Sequence, residues 1–216
     1  MTKLIVFDLD GTIIDDIESF WAYACNDFGC DIMRKKQGNE KYLKNLITYD
    51  EWVEHDIALW KEKKAVKDDF LRSMKKLRLM KGTIETIKTL KKRGFKIGMI
   101  SDSLDIALEA LIPDYKELFD EVMINRIFFG NDGRISGWDS TEYGMEKKAD
   151  GLKKMAEREK IGLKDCIFVG DGFNDVHAVK LAGMGISFNS HSEELDKAAD
   201  VIIKKKDLRE ILKYIS

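Results

Sequence analysis

Four consecutive apolar residues near the start of the chain run directly into two carboxylates and a glycine, within residues 4–12. A short apolar run that is rich in branched and aromatic residues predicts a strand buried on both faces, as in a parallel sheet. Open α/β sheets bind ligands at the carboxyl ends of such strands, which is where Asp8 and Asp10 lie. Side chains two residues apart share one face, so the two carboxylates converge. Because nearby anions repel each other, this arrangement predicts a bound cation or a shared proton.

Beyond residue 80, short apolar segments alternate with segments of helical periodicity, and residues 126–138 have the pattern of a hairpin around a Gly-Asn-Asp-Gly turn. Alternating strands and helices are typical of a parallel sheet with right-handed crossovers. We therefore predict an α/β fold with a Rossmann-like, three-layer parallel-sheet core formed by residues 1–15 and 81–216.

Residues 16–80, called the insertion below, carry aromatic and aliphatic side chains at helical spacing. The pattern predicts helices at residues 18–28, 41–47 and 49–64, and a helical domain inserted after the first strand. Its aromatic residues either form the core of that domain or, for one or two of them, line a ligand pocket. This aromatic set comprises Phe20, Trp21, Tyr23, Trp52 and Trp60.

Further reactive side chains follow other predicted strands. Ser101 ends one apolar segment, and Asp171 with Asp175 follows another. Lys148 lies four residues before Leu152, on the helix face that is predicted to pack against the sheet. Carboxylates suit Mg²⁺, a hard cation that prefers oxygen ligands, whereas an ammonium and a hydroxyl suit phosphate oxygens. No histidine or cysteine is placed to form a softer transition-metal site.

Composition narrows the classes of partner. The 216 residues carry a net charge of −2 with basic residues spread throughout, which argues against a nucleic-acid partner. No apolar run approaches the roughly 20 residues of a membrane span, and the start is too short and acidic for a signal peptide. We expect a soluble cytoplasmic protein, monomeric or homodimeric, that contacts neither nucleic acid nor membrane.

Taken together and in order, these motifs resemble those of the haloacid dehalogenase superfamily of phosphotransferases, and within it the phosphoserine phosphatase branch. Residues 8–12 match the first motif, and Ser101 after an apolar strand matches the second. Lys148 matches the third, and residues 170–175 match the fourth. Each motif is weak by itself, but the four in sequence are highly specific.

The resemblance implies the chemistry of the site. Asp8 is the nucleophile that forms an aspartyl-phosphate, and Asp10 is the general acid and base. Mg²⁺ is held by Asp8, the backbone carbonyl of Asp10 and Asp171, with Asp175 supporting directly or through water. The phosphoryl group is bound by Ser101, Lys148 and backbone N–H groups near Leu9, Asp10 and Asp102, while Asn174 contacts substrate or orders its loop.

Other positions depart from the phosphoserine phosphatase pattern. Gly11 replaces a serine, and Asp102 replaces a glycine. The glutamate that meets the substrate's amino group aligns with Ile17, with Glu18 next to it, and the arginine that meets its carboxylate aligns with Asp56. The pattern therefore predicts a phosphatase of a small phosphorylated metabolite with an altered substrate pocket, one that does not prefer phosphoserine.

Two other activities fit the same motifs. A phosphomutase would pass the phosphoryl group to a second hydroxyl. A signalling receiver domain would keep it on an aspartate, although the insertion and Asp10 both argue against that alternative.

Overall fold

In the computed structural model, which describes residues 3–215, a seven-stranded sheet forms the centre of the molecule with strand order β6-β5-β4-β1-β7-β8-β9. All neighbours in this sheet are parallel except β6, which pairs antiparallel with β5. The strands are β1 (Leu4–Phe7), β4 (Lys96–Leu104), β5 (Glu121–Phe129), β6 (Ile135–Asp139), β7 (Cys166–Gly170), β8 (Met184–Phe188) and β9 (Val201–Ile203). The predicted α/β class with a mostly parallel sheet is confirmed, as is the hairpin, now seen as β5 and β6.

Helices cover both faces of this sheet, which gives the three layers. They are α5 (Thr83–Lys92), α6 (Asp105–Leu111), α7 (Tyr115–Leu118), α8 (Lys148–Glu159), α9 (Val176–Leu181) and α10 (Glu193–Ala198). Strand β1 shows the period-2 alternation of a doubly covered strand. Ile5 and Phe7 pack into one apolar cluster with α5, whereas Leu4 and Val6 pack into a second cluster with α8.

The insertion folds into four helices between two short strands. These elements are β2 (Ile14–Asp15), α1 (Phe20–Asp27), α2 (Ile32–Leu43), α3 (Tyr49–Glu62), α4 (Lys67–Met74) and β3 (Arg78–Leu79). Strands β2 and β3 pair antiparallel, so the chain leaves and re-enters the core through one ribbon. Asp15 stabilises this crossing because its carboxylate accepts hydrogen bonds from Arg78 at 3.2 Å and Lys206 at 2.9 Å.

The core of the insertion is aromatic. Trp21 and Trp60 stack with ring centroids 4.9 Å apart, and Phe70 meets Trp60 edge-on at 5.2 Å. Phe70 also contacts Phe129 of β5 at 5.5 Å, which joins the insertion to the sheet. Most of the aromatic set therefore packs the interior, and the ring of Trp52 is the one that reaches the cavity described below.

Some predicted helix limits were wrong. The helix predicted at residues 41–47 is the end of α2, which begins after Asp31, whose carboxylate accepts hydrogen bonds from the N–H groups of Met33 and Arg34. After the last strand the chain ends in a 3₁₀ helix at Leu208–Lys213. No helix within residues 3–215 is long and apolar enough to cross a membrane.

Candidate active site

Strand β1 lies between β4 and β7, so the loops that follow these three strands meet at one edge of the sheet. The Asp8 backbone N–H extends the pairing by donating to the Val169 carbonyl at 2.9 Å. The Asp8 carboxylate then turns inward, where its Oδ1 accepts a hydrogen bond from the Leu9 N–H at 2.7 Å. This local bond fixes the orientation of the first carboxylate of the motif.

A buried lysine joins the first and fourth motifs. The Lys148 Nζ lies 2.8 Å from Asp8 Oδ2 and 2.7 Å from Asp175 Oδ1, and the Lys148 side chain is fully buried. The charges of Asp175 and Asp8 outweigh the effect of burial and raise the pKa of the Lys148 ammonium above its usual range. The ammonium is therefore held charged between two carboxylates, as a buried ion must be.

Asp10 is held by two donors from different parts of the chain. Its Oδ1 accepts a hydrogen bond from the Ser103 hydroxyl at 3.0 Å, and its Oδ2 accepts one from the Phe20 backbone N–H at 2.6 Å. Burial raises the pKa of Asp10 to about 7, and the charges of Asp102 and Asp8 add to this effect. A carboxyl with such a pKa can both donate and accept a proton near neutral pH.

Glycines allow two carboxylates of the site to approach the backbone closely. Gly11 has a φ of +74°, and a Cβ there would lie 2.1 Å from Asp171 Oδ2. A Cβ at Gly170 would lie 2.3 Å from Asp175 Oδ2. The Thr12 hydroxyl donates to Asp171 Oδ1 at 3.0 Å, which orients that side chain. Gly11 therefore makes room for Asp171.

Three carboxylates form a group that could hold a metal ion. One oxygen from each of Asp8, Asp171 and Asp175 lies within 4.8 Å of the others. Burial raises the pKa of Asp175 to about 6 and the pKa of Asp171 well above its usual value, with the Asp8 charge adding to both. The raised pKa values indicate that the positive charge near Asp171 and Asp175 does not offset the effects of burial and of the Asp8 charge. An oxygen-only donor set of this kind suits a hard divalent cation.

The carboxyl-terminal part of β4 brings Ser101, Asp102 and Ser103 to the site. The fully buried Ser101 Oγ accepts a hydrogen bond from the Ser103 N–H at 3.2 Å, and its own proton stays available to a ligand. The carbonyl of Asp102 accepts hydrogen bonds from Trp21 Nε1 and Asn125 Nδ2, both at 2.6 Å. Trp21 belongs to the insertion, so this contact ties the insertion to the site.

A cavity of about 480 Å³ lies between the carboxylates and the insertion. Its floor includes Asp8, Asp10, Asp102 and Asp171, its rim includes Glu18 and Asn174, and its wall on the insertion side includes Lys35, Asn39, Tyr42 and Trp52. Tyr42 and Trp52 stack with ring centroids 5.5 Å apart, so this wall is partly aromatic. The cavity is large enough for a small phosphate ester.

Of the three residues predicted to determine specificity, Glu18 lines this cavity, whereas Ile17 and Asp56 do not. Ile17 is buried among apolar side chains. Asp56 lies beneath the wall, where its buried carboxylate pairs with the buried ammonium of Lys35. The negative charge at position 56 is thus neutralised within the insertion.

Sequence reasoning missed Ser103 and Lys35. Ser103 could have been found, because it lies two residues after Ser101 and shares its face of an extended segment. Lys35 carried no comparable signal, because most of its neighbours along the helix are charged or polar. Its burial depends on pairing with Asp56, 21 residues away in the sequence.

The family described as a haloacid dehalogenase-like hydrolase matches this chain over residues 2–183, which defines the protein as a hydrolase. The chain belongs to the haloacid dehalogenase-like hydrolases. It is 32% identical over 222 residues to a phosphoserine phosphatase of Methanocaldococcus jannaschii, covering 99% of this chain and 97% of that one.

Solved structures agree with that relationship. A substrate-bound phosphoserine phosphatase complex matches with a TM-score of 0.80 and 29% identity, over 100% of this chain and 99% of the other. A phospho-aspartyl intermediate analogue of phosphoserine phosphatase matches with a TM-score of 0.79, the same identity and the same coverage. The predicted resemblance to this branch and the predicted class of enzyme, a phosphatase of this family, are confirmed.

Proposed function

We propose that this phosphatase hydrolyses the phosphate monoester of a small metabolite through an aspartyl-phosphate on Asp8, with Mg²⁺ as its metal ion. The observation that carries the proposal is the shared ammonium of Lys148 between Asp8 and Asp175, beside Asp10 with its raised pKa. The phospho-aspartyl analogue among the related structures supports a carboxylate as the nucleophile. The predicted cytoplasmic location and the monomeric or homodimeric state stay predictions.

The cluster of three carboxylates is suited to binding a magnesium ion. Asp8, Asp171 and Asp175 supply hard oxygen donors, and the proposal adds the backbone carbonyl of Asp10. When bound, Mg²⁺ would offset the negative charge of the carboxylates and of the substrate's phosphate. Burial and the Asp8 charge raise the pKa values of Asp171 and Asp175, so a cation there would favour the ionised form of both.

The reaction proceeds in two halves on this chain's own residues. An oxygen of Asp8 attacks phosphorus while the bond from phosphorus to the substrate's ester oxygen breaks, and protonated Asp10 gives its proton to that leaving oxygen. Ionised Asp10 then takes a proton from water, whose oxygen attacks phosphorus and releases Asp8 and inorganic phosphate. Ser103 and the Phe20 N–H hold Asp10 in position for both transfers.

The phosphoryl group needs donors that match its charge. Lys148 and the Ser101 hydroxyl are the proposed side-chain donors, and the backbone N–H groups of Leu9, Asp10 and Asp102 are the proposed main-chain donors. The Leu9 N–H now donates to Asp8 Oδ1, so it is already oriented toward the reacting carboxylate. Asn174 at the rim would contact substrate or order its loop.

We further propose that residues 16–80 act as a cap domain over a core of residues 1–15 and 81–216. The hydrogen bonds from Phe20 and Trp21 to the core would form when the cap closes, and closure would exclude water from the phosphoryl group. Such a cap would also present its aromatic wall to the leaving group.

The test is turnover of p-nitrophenyl phosphate with Mg²⁺ by the wild-type protein and by Asp8→Asn. The proposal predicts many turnovers for the wild type and a loss of at least about a thousandfold in the variant. Phosphate release that stops near one equivalent would instead indicate a receiver domain, and transfer to an added alcohol without net hydrolysis would indicate a mutase.

A further inference from the structure

Asp102 lies where the floor of the cavity meets the insertion. It lines the same cavity as Asp8 and Asp10, and its Cβ would lie 3.3 Å from a Cβ at Gly144 on the opposite side. The two hydrogen bonds that its carbonyl accepts fix its peptide group, one from the insertion and one from the core. The side chain therefore borders the part of the cavity that a leaving group would enter when its phosphate binds at Asp8.

The carboxylate of Asp102 has no partner on another residue. Within residues 3–215, no other side chain or backbone group donates a hydrogen bond to it, and no ion pair reaches it. The other carboxylates on the floor differ in this respect. Asp8 is bound by Lys148, Asp10 by Ser103 and Phe20, and Asp171 by Thr12.

The lysine ammonium groups at this cavity are already paired with carboxylates. Lys148 is shared between Asp8 and Asp175. In the described part of the chain, Lys35 is the one lysine or arginine that lines the cavity, and it is paired with buried Asp56 and donates to Asn39 Oδ1 at 3.3 Å. A carboxylate on the leaving group would find no unpaired lysine or arginine among the described residues of the lining, whereas an ammonium would find the unpaired Asp102.

An uncompensated anion beside a phosphate site opposes binding of an ordinary anionic ester. The opposition disappears when the leaving group itself brings a positive charge to that anion. We propose that Asp102 is the specificity-determining residue of this enzyme and that it selects phosphate esters of amino alcohols. The ammonium group of such a substrate binds the Asp102 carboxylate. The substrate itself does not need to carry a carboxylate. This inference rests on the proposed phosphatase function and adds the class of leaving group.

The experiment uses two pairs of substrates that differ only in an ammonium or a hydroxyl group. The first pair is 2-aminoethyl phosphate and 2-hydroxyethyl phosphate, and the second is O-phosphoserine and glycerate 3-phosphate. For the wild-type protein with Mg²⁺, the amine should exceed the hydroxyl analogue in kcat/KM by about tenfold or more in each pair. Adding the carboxylate should not raise kcat/KM above that of 2-aminoethyl phosphate.

The variant Asp102→Asn keeps the shape of the side chain and removes its charge, so the ratio within each pair should fall to about threefold or less. Asp102→Gly, which removes the carboxylate altogether, should give the same fall. Glu18→Gln tests the competing carboxylate, because Glu18 also lines the cavity but is exposed, and the ratio in this variant should stay at about tenfold or more.

The two proposals fail in different ways. If p-nitrophenyl phosphate is not hydrolysed at all, the phosphatase function is contradicted. If it is hydrolysed but the amine and hydroxyl analogues are equal, or if Glu18→Gln removes the preference while Asp102→Asn retains it, then the role of Asp102 is overturned. A clear gain from the carboxylate in O-phosphoserine would equally contradict the inferred class.

Discussion

The Nζ of Lys148 and Oδ2 of Asp8 lie 2.8 Å apart, and their side chains are 0% and 6% exposed. Neither charge would be tolerated alone in this environment, because removing an ion from water is expensive unless a partner replaces the lost hydration. The same ion pair therefore contributes both to the stability of this edge of the sheet and to the proposed reaction at the phosphorus atom. Disrupting this pair should therefore lower both the free energy of unfolding and kcat.

Lys148→Met should leave Asp8 and Asp175 facing each other without a counter-charge. We expect the free energy of unfolding, measured with urea in the absence of metal, to fall by about 3–5 kcal/mol. We also expect kcat to fall at least about a hundredfold, because a donor to the transferring phosphoryl group is lost. Lys147→Met is the control, since that neighbouring side chain is exposed and neither quantity should change. Equal losses in both variants would contradict the assignment of Lys148.

Ser103→Ala should change the pH profile more than the fold. The Ser103 hydroxyl stabilises the ionised form of Asp10, so its loss should raise the Asp10 pKa further. The alkaline limb of kcat/KM, which reports loss of the protonated acid, should therefore move to higher pH by about one unit. Ser136→Ala removes an exposed hydroxyl from β6 and should leave the profile in place. An unchanged limb in Ser103→Ala would remove Asp10 from the role of acid.

Proton and metal binding should compete at this site. The pKa of Asp175 is raised to about 6 and that of Asp10 to about 7 from an ordinary value of 3.8. Between about pH 4 and 7 the folded protein without metal thus holds protons that the unfolded chain has released, so these groups make the metal-free protein less stable as pH rises. Mg²⁺ affinity should weaken as pH falls through this window.

Calorimetric titration of Mg²⁺ in buffers of different ionisation enthalpy should accordingly show proton release at pH 6 and less at pH 8. Urea unfolding with EDTA should show that the wild type loses stability between pH 5 and pH 7. The loss should be smaller in Asp10→Asn, which lacks the titrating carboxyl at position 10. Metal binding that is independent of pH would contradict ligation by the Asp175 carboxylate.

The buried pair of Lys35 and Asp56 offers a test of the wall of the cavity. Lys35→Met leaves a buried carboxylate without its cation and should lower the free energy of unfolding by about 3–5 kcal/mol. In the double variant Lys35→Met, Asp56→Leu, most of this loss should be recovered, because both charges are gone. Additive losses in the double variant would show that the two residues act independently.

Much of the site could be predicted from the sequence because its residues follow local patterns. Asp8 and Asp10 follow an apolar strand, Ser101 follows another, and Lys148 lies on the sheet-facing stripe of its helix, so each position depends on neighbours within a few residues. The order of the parallel strands then brings these loops to one edge. The structure places all four at that edge.

The wall of the cavity depends on contacts between distant parts of the chain, and it could not be predicted in the same way. Asp56 looks like a specificity residue when it is aligned, but the packing of α2 against α3 directs it to Lys35 and away from the cavity. That no other described residue donates a hydrogen bond to the Asp102 carboxylate likewise becomes known only from the three-dimensional structure. The strands β2 and β3 have two residues each, too few for a periodic signal.

The central claim is that Asp8 becomes phosphorylated during turnover, and chemical trapping tests it most directly. Enzyme quenched during turnover of p-nitrophenyl phosphate with Mg²⁺ is reduced with borohydride, which converts an acyl phosphate to homoserine, and its peptides are analysed by mass spectrometry. The account predicts homoserine at position 8, and none when substrate or Mg²⁺ is omitted. Homoserine at another aspartate, or none at position 8 during full activity, would contradict it.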